Sequence, residues 1–122
     1  QTAMPAMPLQ ARRLFQEGFP LDEVAARLQR TVSTVVEYLI GWILTDDVSA
    51  WRFYVLQILP NHSYEDIRHC FLQKGIDRLK PVYESCRPSY SYAQLRVGRA
   101  IFRRWPQMST LQPYLAASKK GN

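Results

Sequence analysis

Apolar residues return every three or four positions along nearly the whole chain, and no stretch alternates inward and outward, so the periodicity predicts an all-α protein. A first helix is predicted over residues 8–17, with Leu9, Leu14 and Phe15 inward and Gly18 as a left-handed stop. Pro20 opens a second near Leu21; Asp22 and Glu23 suit the positive end of its dipole, and Val24, Ala25 and Leu28 form its inner face. Thr31 is placed to cap a third, whose Val35, Leu39, Ile40 and Ile43 continue the stripe until Thr45-Asp46-Asp47 interrupts it. Trp51, Tyr54, Val55, Ile58 and Leu59 predict a fourth helix, stopped by Pro60 and Asn61. Ser63 is placed to cap a fifth through Lys74, with Ile67 and Phe71 inward and Gly75 after it. A short sixth spans residues 79–86, with Pro81 in its first turn, and Ser91 caps the last long helix, residues 92–105, closed by Pro106. Residues 108–114 are expected to pack back on the body and residues 118–122 to fray.

These elements imply one helical domain over residues 8–115, divided into units at 8–45 and 48–106, between a linker at 1–7 and a flexible tail at 116–122. The Met/Pro-rich opening reads as linker, and the chain as a piece of a longer protein. Ser63-Tyr64-x-x-Ile67-Arg68 and Ser91-Tyr92-x-x-Leu95-Arg96 echo each other; duplication or one shared way of starting a helix explains this equally well. At 122 residues, 47% apolar and with 3 Trp, 7 Tyr and 5 Phe, the chain can cover a real core. No apolar run approaches the roughly 18 residues needed to cross a bilayer, and no basic-then-apolar leader is present, so neither membrane insertion nor secretion is expected. Cys70 and Cys86 are too few to staple a small fold, which points to a reducing compartment with both thiols buried or idle.

Charge is unevenly placed. The net charge is +6, yet residues 1–50 carry four Arg against six acids while residues 51–122 carry twelve Lys and Arg against four, so a polyanion should meet the second part. On the last helix Arg96, Arg99 and Arg103 fall within about 60° of one another with Arg104 on their flank, and Leu95, Gly98, Ile101, Phe102 and Trp105 lie opposite. That face, with Lys119 and Lys120 as a mobile addition, suits phosphates and gives salt-dependent affinity with weak sequence preference. The plainer alternative is a solvated face, or arginines paired to Glu65, Asp66 or Glu84. Gly98 in mid-helix fits a close helix crossing, or chance.

Three helices with a tight second turn form the pattern of a helix-turn-helix, carried by Leu14-Phe15-x-x-Gly18-Phe19-x-Leu21-x-x-Val24-Ala25 and Ser33-Thr34-Val35-x-x-x-Leu39. In such units the third helix enters the major groove and presents cations or amides to base edges. Its outward positions are expected to be Val32, Ser33, Val36 and Glu37, which carry no cation and one carboxylate; these four residues suit contact with a protein partner better than base reading. Tyr83, Tyr90 and Tyr92 surround Cys86-Arg87-Pro88, where exposed rings could stack on unpaired bases or simply form core and rim. His62, His69, Cys70 and Cys86 lack metal-ligand spacing, so no metal is expected. No phosphate-cradling loop, nucleophile elbow or paired-carboxylate cleft is present, and no catalysis or cofactor is expected of this segment.

The same residues, with Leu79-Lys80-Pro81-Val82-Tyr83-Glu84 and Ser91-Tyr92-Ala93-Gln94-Leu95-Arg96-Val97, resemble the C-terminal helix-turn-helix domain of RecQ-type helicases, Werner-type ones included. The resemblance spans about residues 9–104 and departs at Pro20, Gln29 and Arg30. It implies a domain that follows the other modules of a DNA-unwinding protein of repair and recombination, contacting DNA and those modules and adding positioning rather than ATP hydrolysis. Localisation would be cytoplasmic and nucleoid-associated in a bacterium, nuclear in a eukaryote. The functions to weigh are an accessory nucleic-acid-binding domain, a protein-docking module and a sequence-specific transcription regulator; oligomeric state is left open.

Overall fold

Local chemistry sets several helix ends. In the computed structural model the described residues are 6–45, 55, 58–59, 61–109 and 111. They carry six delimited helices and no strand: α1 Met7–Gln16, α2 Leu21–Leu28, α3 Val32–Thr45, α4 Asn61–Lys74, α5 Leu79–Ser85 and α6 Tyr92–Arg104. The all-α class is therefore as expected. Gly18 (φ 102°) and Gly75 (φ 86°) stop α1 and α4 in the left-handed conformation that costs glycine nothing. The Thr31 hydroxyl accepts from the Thr34 N–H at 3.1 Å and caps α3. Ser91 and Gln94 close a reciprocal capping box on α6: the Ser91 hydroxyl accepts from the Gln94 N–H at 3.1 Å, and the Gln94 side chain accepts from the Ser91 N–H at 2.9 Å.

Two local expectations need correction. Ser63 does not cap α4, which starts at Asn61, leaving Ser63 buried inside the first turn. The echo also fails at its aromatic position, because Tyr64 is fully buried whereas Tyr92 is 43% exposed, so the two helix starts do different work. Of the helix expected over residues 51–59, all but Val55, Ile58 and Leu59 lie outside the described residues; those three are buried, and the Leu59 N–H donates to the Val55 carbonyl at 2.7 Å. Of residues 108–114, Met108 and Leu111 pack on the core. Lys119 and Lys120 lie outside the described residues.

The turn between α2 and α3 holds a local cost. Gln29 takes φ 56° and ψ 44°, a left-handed conformation in which its Cβ crowds the following carbonyl, while Arg30 donates its N–H back to Ala25 at 3.0 Å. Gln29→Gly is expected to raise the unfolding free energy by about 1 kcal/mol, read as a higher urea midpoint at unchanged slope.

One continuous core joins the two trios of helices. Ala11, Phe15, Val24, Ala25, Leu28, Val35 and Leu39 close the first, with Phe15 edge-to-face on Trp42 at 6.1 Å. Among the described residues the largest helix–helix contact lies between α3 and α6. Arg96 near the start of α6 reaches Ser33 near the start of α3, and Arg104 at its end reaches the Ile43 carbonyl, so the two run side by side in the same direction. Leu95, Val97, Gly98, Ala100 and Ile101 are buried, which wraps most of the circumference of α6 and makes it the central helix. A Cβ on Gly98 would stand 3.0 Å from Ile67 Cγ2 and 3.7 Å from Phe71, so this glycine lets α4 approach α6 closely.

The cysteines are neither free nor idle. Cys70 of α4 and Cys86, which follows α5, form a disulfide across 16 residues with their Cα atoms 5.8 Å apart. The expectation of two unpaired thiols is corrected: counting cysteines tracks compartment and fold size, whereas pairing depends on how α4 and α5 pack.

Candidate nucleic-acid interface

The narrow arc of α6 that is not wrapped carries Tyr92, Arg96, Arg99 and Arg103, all within about 60° at 100° per residue. α3 lies along one side of this stripe and the connection from α4 to α5 along the other. The four arginines expected to act alike meet four different surroundings.

Arg96 turns toward α3. One of its Nη atoms donates to Ser33 Oγ at 3.0 Å and the other pairs with the Glu37 carboxylate, leaving its side chain 18% exposed. Its charge is thus spent inside the protein, on an acid in the N-terminal half of the chain rather than on Glu65, Asp66 or Glu84. Arg104 is half-buried; its guanidinium donates to the Ile43 carbonyl at 2.9 Å, satisfying an orphan acceptor in the last turn of α3, and lies over the Trp105 ring at 4.8 Å. Both therefore serve as fasteners between α6 and α3.

Arg99 donates to the Ile76 carbonyl at 3.2 Å, and Ile76 lies in the connection from α4 to α5, which also carries exposed Asp77 and Arg78. Burial first, and then the charges of Arg103 and Arg96, push the Arg99 pKa below its ordinary value, yet guanidinium stays protonated throughout the usual range. No carboxylate contacts it among the described residues. Arg103 is exposed, and among the described residues it has neither an acid nor a hydrogen-bond acceptor. Among the described residues, Arg99 and Arg103 are therefore the two arginines of the stripe without an acid partner.

The partner face expected on α3 is corrected as well. Val36 points into the core and is fully buried, Ser33 and Glu37 hold Arg96, and Val32 alone of the four is exposed without engagement. A helix-turn-helix trio taken alone leaves Val36 on the outward face of its third helix; in the whole domain, where α6 also packs on α3, Val36 is buried. The exposed remainder of α3 in its second half, Gly41, Leu44 and Thr45, carries no cation to read bases.

A helix-turn-helix domain family matches residues 9–99, three quarters of the chain and all of its delimited helices but the first two residues of α1 and the end of α6. The chain belongs to this helix-turn-helix domain family. No curated protein and no solved structure matches it. In this helix-turn-helix domain α1, α2 and α3 form the tri-helical unit, with Gln29 in the left-handed position of the turn. The remaining helices build the flank on which the cationic stripe sits. Among the described residues no helix is long and apolar enough to cross a membrane.

Proposed function

We propose that this helix-turn-helix domain is a non-catalytic accessory module that holds the backbone of DNA, with weak sequence preference, for a larger RecQ-like helicase. What supports the reading is the juxtaposition of Arg99 and Arg103 on the outward arc of α6, their charges facing one another with no carboxylate between them, in a chain of the helix-turn-helix family. Phosphate contacts of this kind fix position and leave base identity unread. The assignment to a helicase rests on the resemblance of the Leu79–Glu84 and Ser91–Val97 blocks together with the helix-turn-helix, taken in that order.

The test is fluorescence anisotropy with single-stranded, duplex and forked DNA across a salt series. Binding should weaken linearly in log K against log salt, and the double variant Arg99→Ala/Arg103→Ala should bind at least tenfold more weakly, with a slope shallower by about 1.5 to 2. An unchanged slope and affinity in that variant would remove the stripe from the interface.

A further inference from the structure

Tyr92, at the head of the same stripe, stacks on Tyr83 from α5 with ring centroids 4.2 Å apart and planes 14° from parallel. The pair is not core: the two residues are 42% and 43% exposed, and neither phenol is hydrogen-bonded among the described residues. Tyr90, between them in sequence, shows what a structural tyrosine looks like here. It is buried, its hydroxyl donates to Asp66 at 2.8 Å, and burial followed by that carboxylate pushes its pKa up to about 12.

The two exposed rings leave aromatic surface open to solvent, and aromatic surface of this kind gains from stacking a flat aromatic ligand such as a base. Its place on α6 selects the ligand. Tyr92, Arg99 and Arg103 share one line along the helix, with Arg99 about 10 Å and Arg103 about 16 Å beyond the tyrosine. A base on the ring would thus have its own strand's phosphates leading toward these two guanidiniums. Bases inside a duplex have both faces covered by their neighbours, whereas bases of a single strand or a frayed fork do not.

We propose that Tyr83 and Tyr92 form a stacking platform for an unpaired nucleobase, so that this domain takes single-stranded nucleic acid along the α6 stripe, base first and backbone after. The proposal rests on the nucleic-acid-holding reading above and specifies its ligand. The test titrates the full chain with an oligothymidylate, an abasic oligomer of the same length and a blunt duplex, following anisotropy. The abasic strand should bind the wild type about tenfold more weakly than oligothymidylate, the loss expected for one stacked base. Tyr92→Ala should lose about the same factor on oligothymidylate, lose nothing further on the abasic strand, and leave duplex binding and salt slope unchanged; Tyr92→Phe should behave as wild type. Equal binding of abasic and base-bearing strands by the wild type overturns the platform, whatever the variants do. So does a Tyr92→Ala loss that is equal on all three ligands. If duplex binding with its salt dependence persists in either case, the backbone-holding reading survives; absence of binding to every nucleic acid overturns both.

Discussion

Reducing the Cys70–Cys86 disulfide is expected to lower the unfolding free energy by about 3 kcal/mol, the chain-entropy stabilisation for a loop of this length. The bond closes a loop between cysteines 16 positions apart that contains all of α5. At seven residues, α5 is too short to persist on its own helical propensity, and it contributes one fully buried side chain, Val82, to the core. The disulfide therefore supplies much of what holds α5, and with it Tyr83, against α4 and α6. Urea titrations with and without a thiol reductant should separate by that amount, and the double variant Cys70→Ala/Cys86→Ala should match the reduced protein. Coincident midpoints would mean that the packing of Val82 and Leu79 holds the segment without the disulfide.

Gly98→Val should cost about 1–3 kcal/mol, the usual penalty for forcing extra carbons into a close-packed core. A first added carbon already meets Ile67 Cγ2 at 3.0 Å, and the branches of valine would press on Phe71 and Leu59 as well. Gly98→Ala is the informative contrast. It regains about 1 kcal/mol of helix propensity while demanding only a small movement of one methyl group, so its net effect should lie near zero. Urea midpoints at constant slope read both variants. A valine variant as stable as wild type would mean that α4 and α6 are not pressed together at this point.

The two variants also define what the stripe depends on. α6 presents its narrow outward arc because α3, α4 and α5 cover the rest of it, and the Gly98 crossing sets how deeply it sinks. Arg96 and Arg104 then hold α6 to α3, one through Glu37 and Ser33, the other through the Ile43 carbonyl. The result is a sorting of four arginines that look equivalent on a helical wheel. Two fasten α6 to α3, Arg99 is half-buried against the Ile76 carbonyl, and Arg103 is exposed.

Much of the fold was legible in the amino-acid sequence because it follows from short-range chemistry. The apolar period determined that the chain is helical; Gly18, Gly75, Thr31 and Ser91 determined where helices stop and start, since a left-handed turn or a capping hydroxyl acts on its own few neighbours. The charge split and the alignment of Arg96, Arg99 and Arg103 were likewise visible, because helical phase is a property of one element. What tertiary structure alone decided is which partners arrive from far along the chain. Glu37 meets Arg96 across 59 positions, Val36 is buried in the core, Cys70 finds Cys86, and Tyr83 stacks on Tyr92 while Tyr64 disappears into the core. Periodicity says which face of a helix is apolar or charged; only the packing of helices against one another says which of those faces still meets water.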